Sequence, residues 1–301
     1  MMLDRRITRR RQFSGHLLAG AAAIAVAVTA PAIAQVALPT GGTVTIPAPV
    51  VPVNPVEWRY GVDAFNVGGV ITAPVIPPGD PIPTILTVRI GSTATLIDWQ
   101  SFSVGAGNTV EFLNNVGGVP FAVLNRVGNG ATQSTINGIL QGDGAQAAAN
   151  RGSIWLVNPN GIMFGPNSSV TNVASFVAST LSVTDADFAA FYDATGPVTL
   201  AGASTQGITV SPGATINSAG VVLLVSGNLS QSGSITAGGD VGLVVAQDAR
   251  VQLTPNSLMS IGIAAGTTVP GGQLLAAGTV NGQRIFAAAA SQAAVGDILL
   301  N

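Results

Sequence analysis

The sequence predicts an all-β chain wound into a right-handed parallel β-helix, with short extra-helical β elements and one short helix. Composition is the first reason. The chain is 47% hydrophobic and 8% charged, with 38 glycines in 301 residues, and its apolar residues fall in short runs broken by Gly, Asn and Ser. A disordered low-charge chain lacks such runs of Val, Ile and Leu. Repetition is the second: Gly213–Val225 is echoed about twenty positions later by Gly233–Val245, and again by Gly278–Ala289. A period near twenty suits one coil of a solenoid, each coil burying its apolar face against the next. Within a coil, apolar and small residues alternate, as in Ala214-Thr215-Ile216-Asn217, so that one set of side chains stacks inward. At roughly 20 to 25 residues and 4.8 Å per coil, the chain is expected to make around ten coils, a rod about 50 Å long.

The N-terminus reads as an export signal. Arg5, Arg6, Arg9, Arg10 and Arg11 precede the uncharged run Leu17–Ala30, and Ala32-Ile33-Ala34 supplies a small-x-small cleavage pattern, so residues 1–34 are read as a signal peptide cut after Ala34. The run is shorter than the roughly 20 residues a membrane-spanning helix needs; an uncleaved anchor is the alternative. Arg10-Arg11-Gln12-Phe13 resembles a fragment of a twin-arginine signal, which leaves the general and twin-arginine export routes both open.

Removing that segment leaves a chain with no His, Cys or Lys, and with six Arg against twelve acidic residues, a net charge of −6. Such a chain is a poor partner for nucleic acid. A His-based triad, a Cys nucleophile, a Schiff-base Lys and a Cys/His zinc site each lack an essential group. No catalytic residue, metal ligand or cofactor is assigned. Without cysteines, stability must come from a core and a hydrogen-bond ladder rather than from disulfides.

After the turn Leu38-Pro39-Thr40-Gly41-Gly42, prolines crowd residues 47–83. Proline removes donors that a central strand needs, so this stretch is read as a surface insertion or loop, or as a polyproline linker. Strand chemistry begins with Ile85–Ile90, Ala94–Trp99 and Phe102–Val104, each run ending at Gly, Asn or Ser. Thr184-Asp185-Ala186-Asp187 has capping-box spacing ahead of Phe188 and Phe191, which predicts one short helix. Asp185, Asp187 and Asp193 could also form a calcium site or an acid/base pair, but capping and first-turn dipole compensation account for two of them.

The most specific stretch is Gly152–Pro166, where Ile154–Val157 leads through Asn158-Pro159-Asn160-Gly161 into Ile162–Phe164 and Gly165. Asn, Pro and Gly at those positions are turn preferences. This stretch resembles the Asn-Pro-Asn-Gly-Ile motif of the two-partner-secretion (TPS) domain of filamentous-haemagglutinin and haemolysin exoproteins. Leu38–Gly42 resembles that family's opening turn, and Ile97–Gly105 and Val123–Val127 are similar to its central signatures. Val177–Leu181 and Asp185–Phe188 resemble the segment after the motif. Two features depart from the pattern: the Pro-rich insertion, and the lack of an Asn-Pro-Asn-Leu companion motif.

The resemblance implies a secretion domain over 35–195, followed by further coils over 196–301. It implies a secreted, non-enzymatic and adhesin-like protein, located at the cell surface or outside the cell. The chain would cross the inner membrane, stay unfolded in the periplasm, meet the periplasmic domains of an outer-membrane β-barrel transporter, and fold once threaded out. Asn158, Pro159, Asn160, Gly161, Ile162, Phe164 and Gly165 would carry the secretion motif, with Ile162 and Phe164 pointing into the core. The alternative is a turn needed only for folding. Family exoproteins carry a long passenger, so a chain ending at Asn301 reads as a truncated gene, a mini-protein that is mostly secretion domain, or an end that assembles with a partner.

Two other functions compete. A polysaccharide-active β-helix enzyme would need a column of carboxylates on successive coils, whereas Asp240, Asp248 and Asp297 are scattered. A structural surface protein exported by another route would need no transporter.

Overall fold

The computed structural model describes residues 38–47, 52–61, 64–74, 76, 80–128, 132–192, 197–253, 259–264, 268–290 and 298–300. The export signal at 1–34, Asp193 and Asp297 lie outside them. From Ile85 onward the chain visits three parallel sheets in the same order on every turn. The first face holds Ile85–Ile90, Thr109–Asn114, Ile139–Gly142, Ser169–Val173, Thr215–Ser218, Ser234–Ala237 and Thr279–Asn281. The second holds Ala94–Trp99, Ala122–Val127, Ser153–Val157, Ser175–Ser179, Val222–Ser226, Val241–Val245 and Ile285–Ala289. The third holds Ser134–Ile136, Ile162–Phe164, Gly207–Val210, Asn228–Gln231, Leu274–Ala276 and Ile298–Leu300. This is a parallel β-helix.

The described residues form seven coils rather than ten, about 34 Å of stack at 4.8 Å per coil. The repeat seen in the sequence is real but local. Thr215 pairs with Ser234, nineteen positions on, whereas Ile139 pairs with both Thr109 and Ser169, thirty positions to either side. Ser169 pairs with Thr215 and Ser234 with Thr279, because residues leave the coil between them. The echo at Gly278 therefore lies in register with Gly233, one coil away.

Two cores follow from two kinds of strand. On the first face, residues alternate buried and half-exposed, and Leu86, Val110, Leu140, Val170, Ile216 and Ile235 stack up the interior. The second face is buried on both sides: Val222–Ser226 and Val241–Val245 are buried at every position. Continuous apolar runs such as Val221–Val225 are the sequence mark of a doubly covered strand. Inward residues such as Ile154, Leu156, Phe176 and Leu224 join the inner core. Outward residues, among them Leu96, Leu124, Trp155, Val177 and Leu223, join a second cluster. An outer layer covers them, built from a helix at Asp185–Tyr192 and an antiparallel sheet of Val198–Ala201, Asp248–Leu253 and Met259–Ile263.

The described residues of the Pro-rich stretch include regular strands. Gly42–Thr45 and Glu57–Tyr60 pair antiparallel with Ala94–Trp99 and Ile85–Ile90, closing the edge of the first coil on two faces. Two-residue strands, Asn66–Val67 and Val70–Ile71, lie outside them. Capping strands of this kind cover backbone groups that would otherwise form an open edge. The described prolines fall outside these strands, where no ladder donor is lost.

The helix starts where the capping box places it. The Thr184 hydroxyl accepts the Asp187 N–H at 3.1 Å, and fully buried Phe188 meets Trp155 edge-to-face at 5.7 Å. Thr184→Ala is expected to lower stability by about 1 kcal/mol, read as a shift in the urea midpoint with an unchanged slope.

Candidate functional site

The Asn158 turn links the second and third faces on the third coil, and its groups are satisfied almost entirely by the protein itself. Gly161 N–H donates to the Asn158 carbonyl at 3.0 Å, closing the turn. The Asn158 side chain is buried and works in both directions. Its amide donates to the Thr132 carbonyl (3.0 Å) and the Ser134 hydroxyl (2.9 Å), and its oxygen accepts the Asn160 N–H (2.9 Å) and side-chain amide (3.0 Å). The Asn158 N–H donates to the Ser179 carbonyl at 2.9 Å. One amide thus ties together the turn and the preceding coil, a double role that neither Asp nor Leu can fill.

The rest of the motif is equally committed. Gly161 has φ +104°, a conformation that disfavours any side chain. Pro159 offers its carbonyl to the Ser204 hydroxyl at 2.7 Å, and the Asn160 amide also reaches the Gly128 carbonyl at 3.3 Å. Ile162 stacks between Ser134 and Ile208, and Phe164 between Ile136 and Val210. Both are fully buried, and Phe164 meets Phe176 edge-to-face at 5.8 Å. Gly165 donates to the Ile136 carbonyl and lies against Asn137, leaving no room for a side chain. Only Pro159, Asn160 and Met163 keep partial exposure between Asn158 and Gly165.

The other signature segments converge beside this turn, because successive coils stack them. Asp98 and Arg126 are ladder neighbours on the second face. The Arg126 guanidinium donates to both Asp98 oxygens (2.7 and 2.9 Å), to Asp185 at the start of the helix, and to the Val183 carbonyl at 3.4 Å. Partial burial works against this charge, but the hydrogen bonds to Asp98 and Asp185 outweigh it and hold the pKa above the ordinary arginine value. Inside the coil, buried Asn125 accepts the Trp99 indole N–H at 3.0 Å and donates to the Trp155 carbonyl at 3.1 Å. Trp99, Gln100, Arg126, Gly128, Pro159 and Ser182 border one shallow groove next to the turn. Sequence reasoning did not assign roles to Asn125, Arg126, Ser134 or Ser204. Asn125 and Arg126 lay inside a signature segment. Ser204, forty-five residues from Pro159, carried no signal.

A model of the TPS secretion domain matches residues 83–299. The chain belongs to the TPS secretion domain family. TPS domains are recognised by a partner transporter in the outer membrane and mark secreted proteins. The structure of this TPS domain is similar to the crystal structure of the HMW1 secretion domain from Haemophilus influenzae, with a TM-score of 0.48 and 23% identity, covering 77% of this chain and 56% of that one. The chain thus spans a little over half of that structure. A comparison with curated proteins found no match. Among the described residues, no helix is long and apolar enough to cross a membrane.

Of the scattered acids, Asp240 has a clear structural task in this TPS domain. Its fully buried carboxylate takes Arg284 Nε at 3.1 Å and Nη2 at 2.6 Å, and also accepts the Met259 N–H. The Arg284 hydrogen bonds push its pKa below the ordinary aspartate value; burial opposes this, and the Met259 N–H adds to it. A carboxyl whose pKa is depressed by folding stabilises above its unfolded pKa and loses that contribution as pH falls through the folded value. The stability gap between the native chain and Asp240→Asn is therefore expected to be constant above about pH 5 and to shrink in more acidic buffer. Urea unfolding at a series of pH values checks this.

Proposed function

We propose that this chain is the exported substrate of a partner outer-membrane β-barrel transporter, and that the segment from Asn158 to Gly165 is read before the coil forms. The family match supports the partner. The burial of Asn158 carries the timing: in the folded protein its side chain is enclosed and every polar atom is occupied by Thr132, Ser134 and Asn160. A transporter that reads this side chain must therefore meet an unfolded chain. Residues 1–34 take the chain through the inner membrane in this reading, and folding at or beyond the outer surface yields a non-enzymatic, adhesin-like solenoid. In support of the non-enzymatic part, Asp240 is engaged by Arg284 and Met259.

Deleting the transporter gene and assaying culture supernatant tests the central step. Loss of the released chain, with accumulation in the cells, is expected; release at the normal level overturns the reading. Uronate liberated from pectin or alginate by the purified chain would overturn the non-enzymatic part.

A further inference from the structure

The outer layer is joined to the coil differently from the way the coils are joined to each other. Every coil is tied to its neighbours by parallel ladders, whereas Val198–Ala201, Asp248–Leu253 and Met259–Ile263 form a separate antiparallel sheet that shares no ladder with the three faces. The layer rests on the second face chiefly through side chains, in an apolar cluster distinct from the inner core. Two charged clasps add to this. At one end Arg126, fixed by Asp98, holds Asp185 at the helix start. At the other end the Asp240 carboxylate accepts the Met259 N–H, while Arg284 Nη2 donates to the Met259 carbonyl at 3.2 Å.

A glycine marks the seat of the layer. Outward positions of the second face run Leu96, Leu124, Trp155, Val177, Leu223, Gly242 and Phe286 in ladder register. Gly242 is the one without a side chain, and a Cβ there would lie 2.7 Å from a Leu223 methyl of the neighbouring coil, 2.7 Å from the Met259 methyl and 2.9 Å from the Ile261 terminal methyl. The strand Met259–Ile263, paired with Asp248–Leu253, thus docks onto the space that Gly242 leaves.

We propose that the outer layer is a lid that closes over an already wound coil, as a cooperative unit of its own, seated on Gly242 and held by the Arg126 and Asp240 clasps. Its elements follow in sequence the early coils they cover. Asp248–Leu253 joins Val198–Ala201 only after the chain has passed the sixth strand of the second face. Until then Leu223 and Gly242 lack their cover, while Phe188 of the helix already meets Trp155. Closure is therefore the step that removes a broad apolar surface from water, and it requires no change in any ladder of the coil.

Hydrogen exchange of the purified full chain, read by mass spectrometry, tests this without any transporter, so its outcome is independent of the secretion reading. Amides of Val198–Ala201, Asp248–Leu253 and Met259–Ile263 are expected to exchange at least about 10-fold faster than those of the second-face strands beneath them. Gly242→Leu, a wedge under the hairpin, is expected to raise lid exchange by about a further 10-fold and to leave the first and third faces unchanged. Asp240→Asn, which leaves the seat free of a side chain, is expected to move the same lid amides in the same direction. A single common exchange rate for lid and coil in the native chain overturns the proposal. So does a Gly242→Leu or Asp240→Asn chain in which all three coil faces loosen together with the lid.

Discussion

Asn158→Leu is expected to abolish release of the chain and to destabilise the folded protein by about 1–3 kcal/mol. The two effects have separate causes. In the folded state the substitution strands the buried Ser134 hydroxyl and leaves the Thr132 carbonyl and the Asn160 N–H without their partner, and an unpaired buried group costs about 1–3 kcal/mol. Water can reach the exposed Thr132 and the half-exposed Asn160, so the figure for one buried group applies. In the unfolded state none of these partners matters, and a defect there can only come from the segment being read. The measurement is therefore made twice: urea unfolding of refolded protein, and binding of the urea-diluted chain to the transporter's periplasmic domains. A variant that binds as well as the native chain while unfolding early would make Asn158 a folding residue alone.

Phe164→Ala should show the complementary pattern. A fully buried ring packed edge-to-face on Phe176 sits in a column between Ile136 and Val210 that cannot close around the void, so about 3–5 kcal/mol is expected to be lost. The parallel ladder holds the neighbouring backbones near 4.8 Å, which limits collapse. Binding of the unfolded chain to the transporter is expected to be little changed, because Phe164 acts by packing. Equal loss of binding in Phe164→Ala and Asn158→Leu would mean that the whole segment from Asn158 to Gly165 is read as one epitope. The pair of variants thus divides the motif into a polar turn that is recognised and an apolar strand that locks the third coil.

How much of this was legible beforehand depended on the range of the interaction. The turn at Asn158, the cap at Thr184 and the inward pointing of Ile162 and Phe164 are local matters, set by turn preference, capping spacing and alternation. All three are present in the structure. The number of coils was misjudged because a repeat near twenty holds only where no residues leave the coil, as between Thr215 and Ser234. The Pro-rich stretch was read from its prolines, whereas Glu57–Tyr60 between them is a regular capping strand.

By itself, then, the sequence determined the solenoid class, the place of the turn and helix, and the family to which the chain belongs. These rest on patterns read within a few residues, where side-chain chemistry and backbone preference act directly. Only the tertiary structure decided which elements cover the second face from outside, that Arg126 reaches both Asp98 and Asp185, and that Asp240 grips Met259 and Arg284. Those contacts join residues from 19 to 59 positions apart. Their geometry follows from where insertions lengthen each coil, which no local pattern encodes. The empty outward position at Gly242 shows the difference well: in the sequence it is a weak point in an apolar strand, and in the fold it is where the hairpin sits.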